Sequence, residues 1–179
     1  MRKEILGVIL AFALIFTAVS LLSYHPSDPS INHAGASGEV HNLFGPAGSH
    51  VAGVLVYLFG VGAFWIPVVL LITTLNILKE YPRSAILVTL LGGLLLVITT
   101  GGLLAGFKNH YLLFGRRFSS GGIIGIPLAD VVGKYGGNTG GFIFLLSAWT
   151  IALIMTTRLS LIALLKWMRG SCAGVCERI

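Results

Sequence analysis

The sequence predicts an all-α integral membrane protein: four transmembrane helices with two long outer loops, the second containing a short helix. Three observations carry that expectation. Mean hydropathy is +0.92. Only 10% of the 179 residues are charged, against about a quarter in soluble domains. The apolar residues also fall into four long runs separated by short polar segments, rather than alternating as they would around a soluble core.

The elements follow in order. Residues 5–22 carry no charge, and at about 1.5 Å per residue they approach the ~30 Å of a bilayer core. The first span is set at about 5–23. Arg2 and Lys3 precede it as in a secretory signal, but the run is longer than a usual signal core and Ser20-Leu21-Leu22-Ser23 is not a small-x-small cleavage site. An uncleaved helix is expected. Tyr24 suits the interface, Pro26 and Pro29 stop the helix, and Ser27 and Asp28 form turns. A polar loop then runs to about residue 48. The second span, 51–78, is longer than a perpendicular crossing needs, so it should tilt, or bend at Pro67. A charged turn, Lys79-Glu80-Tyr81-Pro82-Arg83, leads into the third span at 84–107. In the second long loop, Pro127 is expected to open a short amphipathic helix through Lys134, ended by Gly136 and Gly137 and lying on or dipping shallowly into the outer surface. The fourth span is placed at 140–165. Residues 1–166 form the membrane domain, and 167–179 a short basic tail.

Charge orients the bundle. With the N-terminus inside, the inner segments hold Arg2, Lys3, Lys79, Arg83, Lys166, Arg169 and Arg178. Lys108, Arg116, Arg117 and Lys134 stay outside, all in the second loop. The positive-inside rule therefore puts both termini in the cytoplasm. Arg158 lies inside the fourth run, close enough to its inner end to snorkel. The net charge of +6 is read as topological. It is spread over short segments and makes no contiguous face for nucleic acid, so no direct nucleic-acid binding by this chain is expected.

Glycine supplies packing. Gly102 and Gly106, and again Gly137 and Gly141, are spaced for close helix approach. Packing within the chain is favoured over pairing between chains, which would make a homo-oligomer. Trp65 and Trp149 are expected to fill gaps between helices.

Chemistry is sparse. All six acids, Glu4, Asp28, Glu39, Glu80, Asp130 and Glu177, lie outside the apolar runs, which argues against a proton-coupled pathway. His25, His33, His41, His50 and His110 fall in the outer loops, at spacings that impose no shared geometry on an ion. Cys172 and Cys176 are too few for a structural zinc site and read as thiols of the tail. There is no phosphate-cradling loop, nucleophile elbow or His-Glu-x-x-His helix. No catalytic residue, cofactor or metal is assigned.

One constellation remains. Ser23-Tyr24-His25-Pro26-Ser27-Asp28-Pro29-Ser30 sits just past a membrane exit. Asn42-Leu43-Phe44-Gly45-Pro46-Ala47-Gly48 leads into the second span, which carries Tyr57-Leu58-Phe59-Gly60 and Ile66-Pro67. Ser120-Gly121-Gly122-Ile123-Ile124-Gly125 lies in the second loop, and Gly140-Gly141 opens the last helix. Over nearly the whole chain this pattern resembles the N-terminal four-transmembrane domain of the FtsK/SpoIIIE DNA translocases of bacteria. The resemblance implies a multi-pass anchor in the bacterial cytoplasmic (inner) membrane that places a DNA-pumping ATPase at the division septum. It also implies contacts with other division proteins, in cell division and chromosome segregation. Ser23, Tyr24, Pro26, Ser27, Asp28, Pro29, Asn42, Gly45, Gly48, Gly60, Pro67, Gly121, Gly122 and Gly125 carry the family pattern and are candidates for an interaction surface. The motor, with its Walker motifs, is not in this sequence, which reads as a fragment or a stand-alone anchor domain, so the chain is not itself expected to be an enzyme. The alternative is a small oligomeric membrane transporter or channel. That reading requires Thr73, Thr74, Asn76, Thr99 and Thr100 to gather around a common cavity.

Overall fold

A computed structural model describes residues 2–31 and 40–158. Helix α1 (Arg2–Leu22) is followed by α2 (Gly45–Phe59), a 3₁₀ turn (Gly60–Phe64), α3 (Trp65–Leu78) and α4 (Arg83–Ala105). A β-hairpin, β1 (His110–Leu113) and β2 (Arg116–Ser119), precedes α5 (Gly122–Thr157). The helical stretches Glu4–Leu22, Gly45–Leu78, Arg83–Ala105 and Gly122–Thr157 are each long and apolar enough to cross a membrane. Large apolar side chains cover the outside of the bundle: Val8 is 70% exposed, Phe12 65%, Leu91 61% and Phe144 61%. Such a surface would be insoluble in water and is at home in lipid.

The helices pair antiparallel. Gly7 near the start of α1 faces Leu78 at the end of α3, and Leu21 at the other end of α1 clusters with Ala63 of the 3₁₀ turn. Gly92 of α4 faces Met155 and Thr156 of α5, while Gly102 faces Leu145. Between them Trp149 Nε1 donates to Thr100 Oγ1 at 3.0 Å, which is the gap-filling role expected of it. Arg158 caps α5 in the left-handed region. Its guanidinium lies 5.2 Å from the Tyr81 ring centre, so the end of α5 and the α3–α4 turn share one end of the bundle. The stem is held by a cation–π contact.

Three boundaries differ from the sequence expectation. The second span does not bend at Pro67. That residue sits in the first turn of α3, where a missing N–H costs little. The break falls at Gly60, whose φ of +58° only glycine adopts cheaply. Asn42 bonds Ser20 O, and Ala52 and Val56 share a buried cluster with Leu21, so α2 packs near the C-terminal end of α1. The short helix of the second loop begins at Gly122, five residues before Pro127, and runs into the fourth span through a kink at Gly137 (φ 65°, ψ 172°). The hairpin was not anticipated. Its two turn residues, Phe114 and Gly115, both have positive φ (53° and 74°), and β1 and β2 pair antiparallel with Leu113 opposite Arg116. That is the primed turn which matches strand twist. The end of the expected fourth span, the tail with Cys172 and Cys176, and His33 and Glu39 lie outside the described residues.

Candidate functional site

The motif residues converge at the end of the bundle where α1 finishes and α2 begins. Pro26 denies helix α1 a further turn, and just past its last residue Ser23 Oγ donates to Val19 O at 2.7 Å and accepts from Leu43 N–H at 3.1 Å. One hydroxyl thus joins the exit of α1 to the approach of α2.

Asp28 organises the loop between them. Its Oδ1 accepts from His41 N–H at 2.9 Å and its Oδ2 from Asn42 N–H at 2.9 Å. His41 Nδ1 is also 2.9 Å from Oδ1. The carboxylate is buried, at 2% side-chain exposure, and burying a charge is tolerable only with such partners. Asn42 continues the network: its Nδ2 donates to Ser20 O at 2.8 Å and its Oδ1 accepts from Phe44 N–H at 3.1 Å. Ser49 Oγ closes it by donating to Pro29 O at 2.8 Å. Gly48 is glycine because a Cβ there would collide with Asn42 Oδ1.

The hairpin seals the other side. Arg116 Nη1 donates to Tyr24 O at 2.6 Å. Phe118, 1% exposed, packs its ring 5.1 Å from that of Tyr24 and 5.6 Å from that of Phe64. Burial, and then the nearby Asp28 carboxylate, push the Tyr24 phenol above its ordinary pKa of 10.0. Neither Arg116 nor Phe118 was a candidate from sequence. The only available signal was a cationic pair followed by an aromatic residue in a glycine-containing loop. Between the loop and the hairpin a cleft of about 310 Å³ is lined by Tyr24, Asp28, Tyr57, His110 and Arg117 among others.

The glycine candidates form a second group just below. Gly60 lies against the carbonyls of Ser119 and Ser120, and Val61 N–H donates to Ser120 O at 3.1 Å. Gly122 (φ +59°) meets the backbone of Tyr57 and Leu58, and a Cβ on Gly125 would sit 2.8 Å from the Gly101 carbonyl carbon. The close crossing of α4 and α5 is therefore Gly101 with Gly121 and Gly125. The expected pairs do less. Gly102 faces side chains of Leu128 and Leu145, Gly106 contacts only carbonyls of its own helix, Gly137 faces open space and Gly141 packs inside the α5 kink.

Of the candidates, Ser23, Asp28, Asn42 and Gly48 thus share one hydrogen-bonded unit with Tyr24 and the Pro26–Pro29 turn beside it. Gly60, Gly121, Gly122 and Gly125 share the backbone crossing. Gly45 (φ +60°) simply starts α2, and Pro67 is buried in α3 away from both groups. His25 and His41, distant in sequence, stack with ring centres 4.6 Å apart. His50 instead bonds Pro46 O and His110 lines the cleft.

The polar span residues do not gather as a pathway would need. Asn76 Nδ2 donates to Thr89 Oγ1 at 3.1 Å, and Thr74, Thr99 and Thr100 each donate to a carbonyl of their own helix. None of Thr73, Thr74, Asn76, Thr99 and Thr100 lines the Asp28 cleft or the two clefts beside the α5 kink.

A multi-pass helical membrane domain with one hydrogen-bonded end is what this geometry defines. Residues 1–169 match the family described as the 4TM region of DNA translocase FtsK/SpoIIIE, and the chain belongs to it. The chain is 29% identical over 97% of its length to a DNA translocase FtsK of Vibrio vulnificus, covering 18% of that protein. It is 31% identical over 82% of its length to DNA translocase FtsK 2 of Ralstonia nicotianae, covering 20% of it. The chain thus spans about a fifth of the length of these curated relatives. No solved structure matches it significantly.

Proposed function

We propose that this domain anchors a DNA translocase of the FtsK type in the bacterial cytoplasmic membrane. In this reading both termini lie in the cytoplasm, and the outer face contacts other division proteins at the septum. The observation that carries it is the family match across residues 1–169, and the hydrogen-bonded loop around Asp28 supports it as a surface fixed in shape. The lysines and arginines support the orientation, since the turn at Lys79 and Arg83 and the N-terminal Arg2 and Lys3 fall on one side. In the same reading this chain's scattered cations serve headgroups rather than DNA.

The test is complementation. In cells depleted of their own FtsK, a fluorescent fusion of this chain should insert, collect at the septum and restore constriction without restoring chromosome translocation. Even distribution around the envelope, at normal expression and insertion, would sink the proposal.

A further inference from the structure

We infer that His25, Asp28 and His41 form a site for a zinc-class divalent cation at the outer end of the bundle. Each offers one ligand atom, and these atoms lie within 4.8 Å of one another. Two ligands about 2.0–2.1 Å from a common ion stand about 2.9–3.4 Å apart at near-right to tetrahedral angles. The Asp28 Oδ1 to His41 Nδ1 distance of 2.9 Å already has that length. The remaining closure is a rotation of imidazoles, one of them on His41, whose side chain is 45% exposed. The stacked rings of His25 and His41 stand ready for it.

The carboxylate is held for the task. Asp28 is buried and fixed by the N–H groups of His41 and Asn42, the outer support that orients ligands in metal sites. His25 takes a long 3.3 Å bond from Ser27 N–H to Nδ1, which leaves its Nε2 available. Two imidazoles and one carboxylate, with water completing a tetrahedron, suit zinc and its neighbours. Calcium and magnesium are poor fits because they need about six or more oxygen ligands, and here one carboxylate supplies them. Binding would replace the direct contact between His41 Nδ1 and Asp28 Oδ1 with two bonds to the ion. The ion would tie the exit of α1 to the approach of α2, clipping shut the intervening loop.

The test is a cobalt titration of the whole chain, purified in detergent without a histidine tag and carrying Cys172→Ser and Cys176→Ser. One Co²⁺ per chain should bind with the visible absorption of tetrahedral nitrogen–oxygen ligation, and Zn²⁺ should displace it. His25→Gln and His41→Gln should each weaken binding about tenfold or more, while His50→Gln and His110→Gln leave it unchanged. His25→Gln removes no bond to Asp28, so the loop survives it, and thermal unfolding without metal should match the parent. Zn²⁺ should raise the unfolding temperature of the parent but not of His25→Gln. Absence of saturable one-to-one binding, or equal affinity in parent and His25→Gln, would overturn the inference.

Discussion

Asp28 and Asn42 are 14 residues apart in sequence and joined by a 2.9 Å hydrogen bond from the Asn42 N–H to the buried Asp28 carboxylate. With the matching bond from His41 N–H, it makes one side chain the clasp of the α1–α2 loop. Hydrogen bonds to a charged acceptor contribute about 1.5–3 kcal/mol each. Asp28→Ala should therefore lower local stability by about 3–6 kcal/mol, through two such bonds lost together. Asp28→Asn, which keeps one oxygen acceptor, should lose less. Amide exchange at His41 and Asn42 measures this directly, and insertion should be normal because no span residue changes. Unchanged protection in Asp28→Ala would show that the loop is held by other means.

The α4–α5 crossing makes a sharper steric prediction. A Cβ on Gly125 would meet the Gly101 backbone at 2.8 Å, whereas Gly133, on the same helix, has nothing within 4 Å. Backbone cannot rotate away as a side chain can, so Gly125→Ala should destabilise by about 1–3 kcal/mol. Gly133→Ala should be neutral, or stabilising by up to about 1 kcal/mol from helix propensity. Thermal unfolding in detergent separates the two. Equal behaviour would mean the helices do not cross at Gly101.

The number of spans and the exit turn were legible because hydropathy and proline act locally. A run such as 5–22 announces its length, and Pro26 its end. The bend at Gly60 was not legible. Gly60 is one of five positive-φ glycines among the described residues of a chain with 24, and nothing in sequence marks it, while Pro67 was the more visible breaker and sits harmlessly in a first turn. Doubled glycines mislead in the same way: Gly92 faces α5 and its neighbour Gly93 faces Val69 of α3, so spacing alone cannot choose the contact between Gly101 and Gly102. The His25, Asp28 and His41 group was hidden because spacing reports geometry only within one helix or turn. Here it is the Asp28 clasp that carries His41 back across 13 residues.

Tyr24 should titrate late. Its phenol is raised first by burial and then by Asp28, so the folded state keeps the proton when the unfolded state, near 10.0, has begun to lose it. Protons bound in the native state then exceed those in the unfolded state, and stability falls as pH rises. This contribution is full below pH 10.0 and is lost as pH rises through the folded value. Phenolate absorbance compared between parent and Tyr24→Phe isolates the group. Asp28→Asn should move its midpoint part of the way down, leaving the burial component. A Tyr24 midpoint at or below the ordinary value would refute this environment.

The final prediction concerns sidedness. The Arg158–Tyr81 contact and the Gly7–Leu78 approach put the α3–α4 turn, the start of α1 and the end of α5 at one end. The Arg116 to Tyr24 bond puts the hairpin and first loop at the other. In the proposed orientation the first of these ends is the cytoplasmic one. In a background carrying Cys172→Ser and Cys176→Ser, Leu112→Cys presents a thiol at a hairpin position that is 73% exposed. A membrane-impermeant maleimide added to spheroplasts should label it. Lys79→Cys, in the opposite turn, should react only after permeabilisation. Ser37→Cys in the first loop should label like Leu112→Cys, and the native Cys172, restored alone, should behave like Lys79→Cys. The reverse pattern would invert the domain. Labelling of Leu112→Cys and Lys79→Cys from the same side would break the antiparallel pairing of the helices.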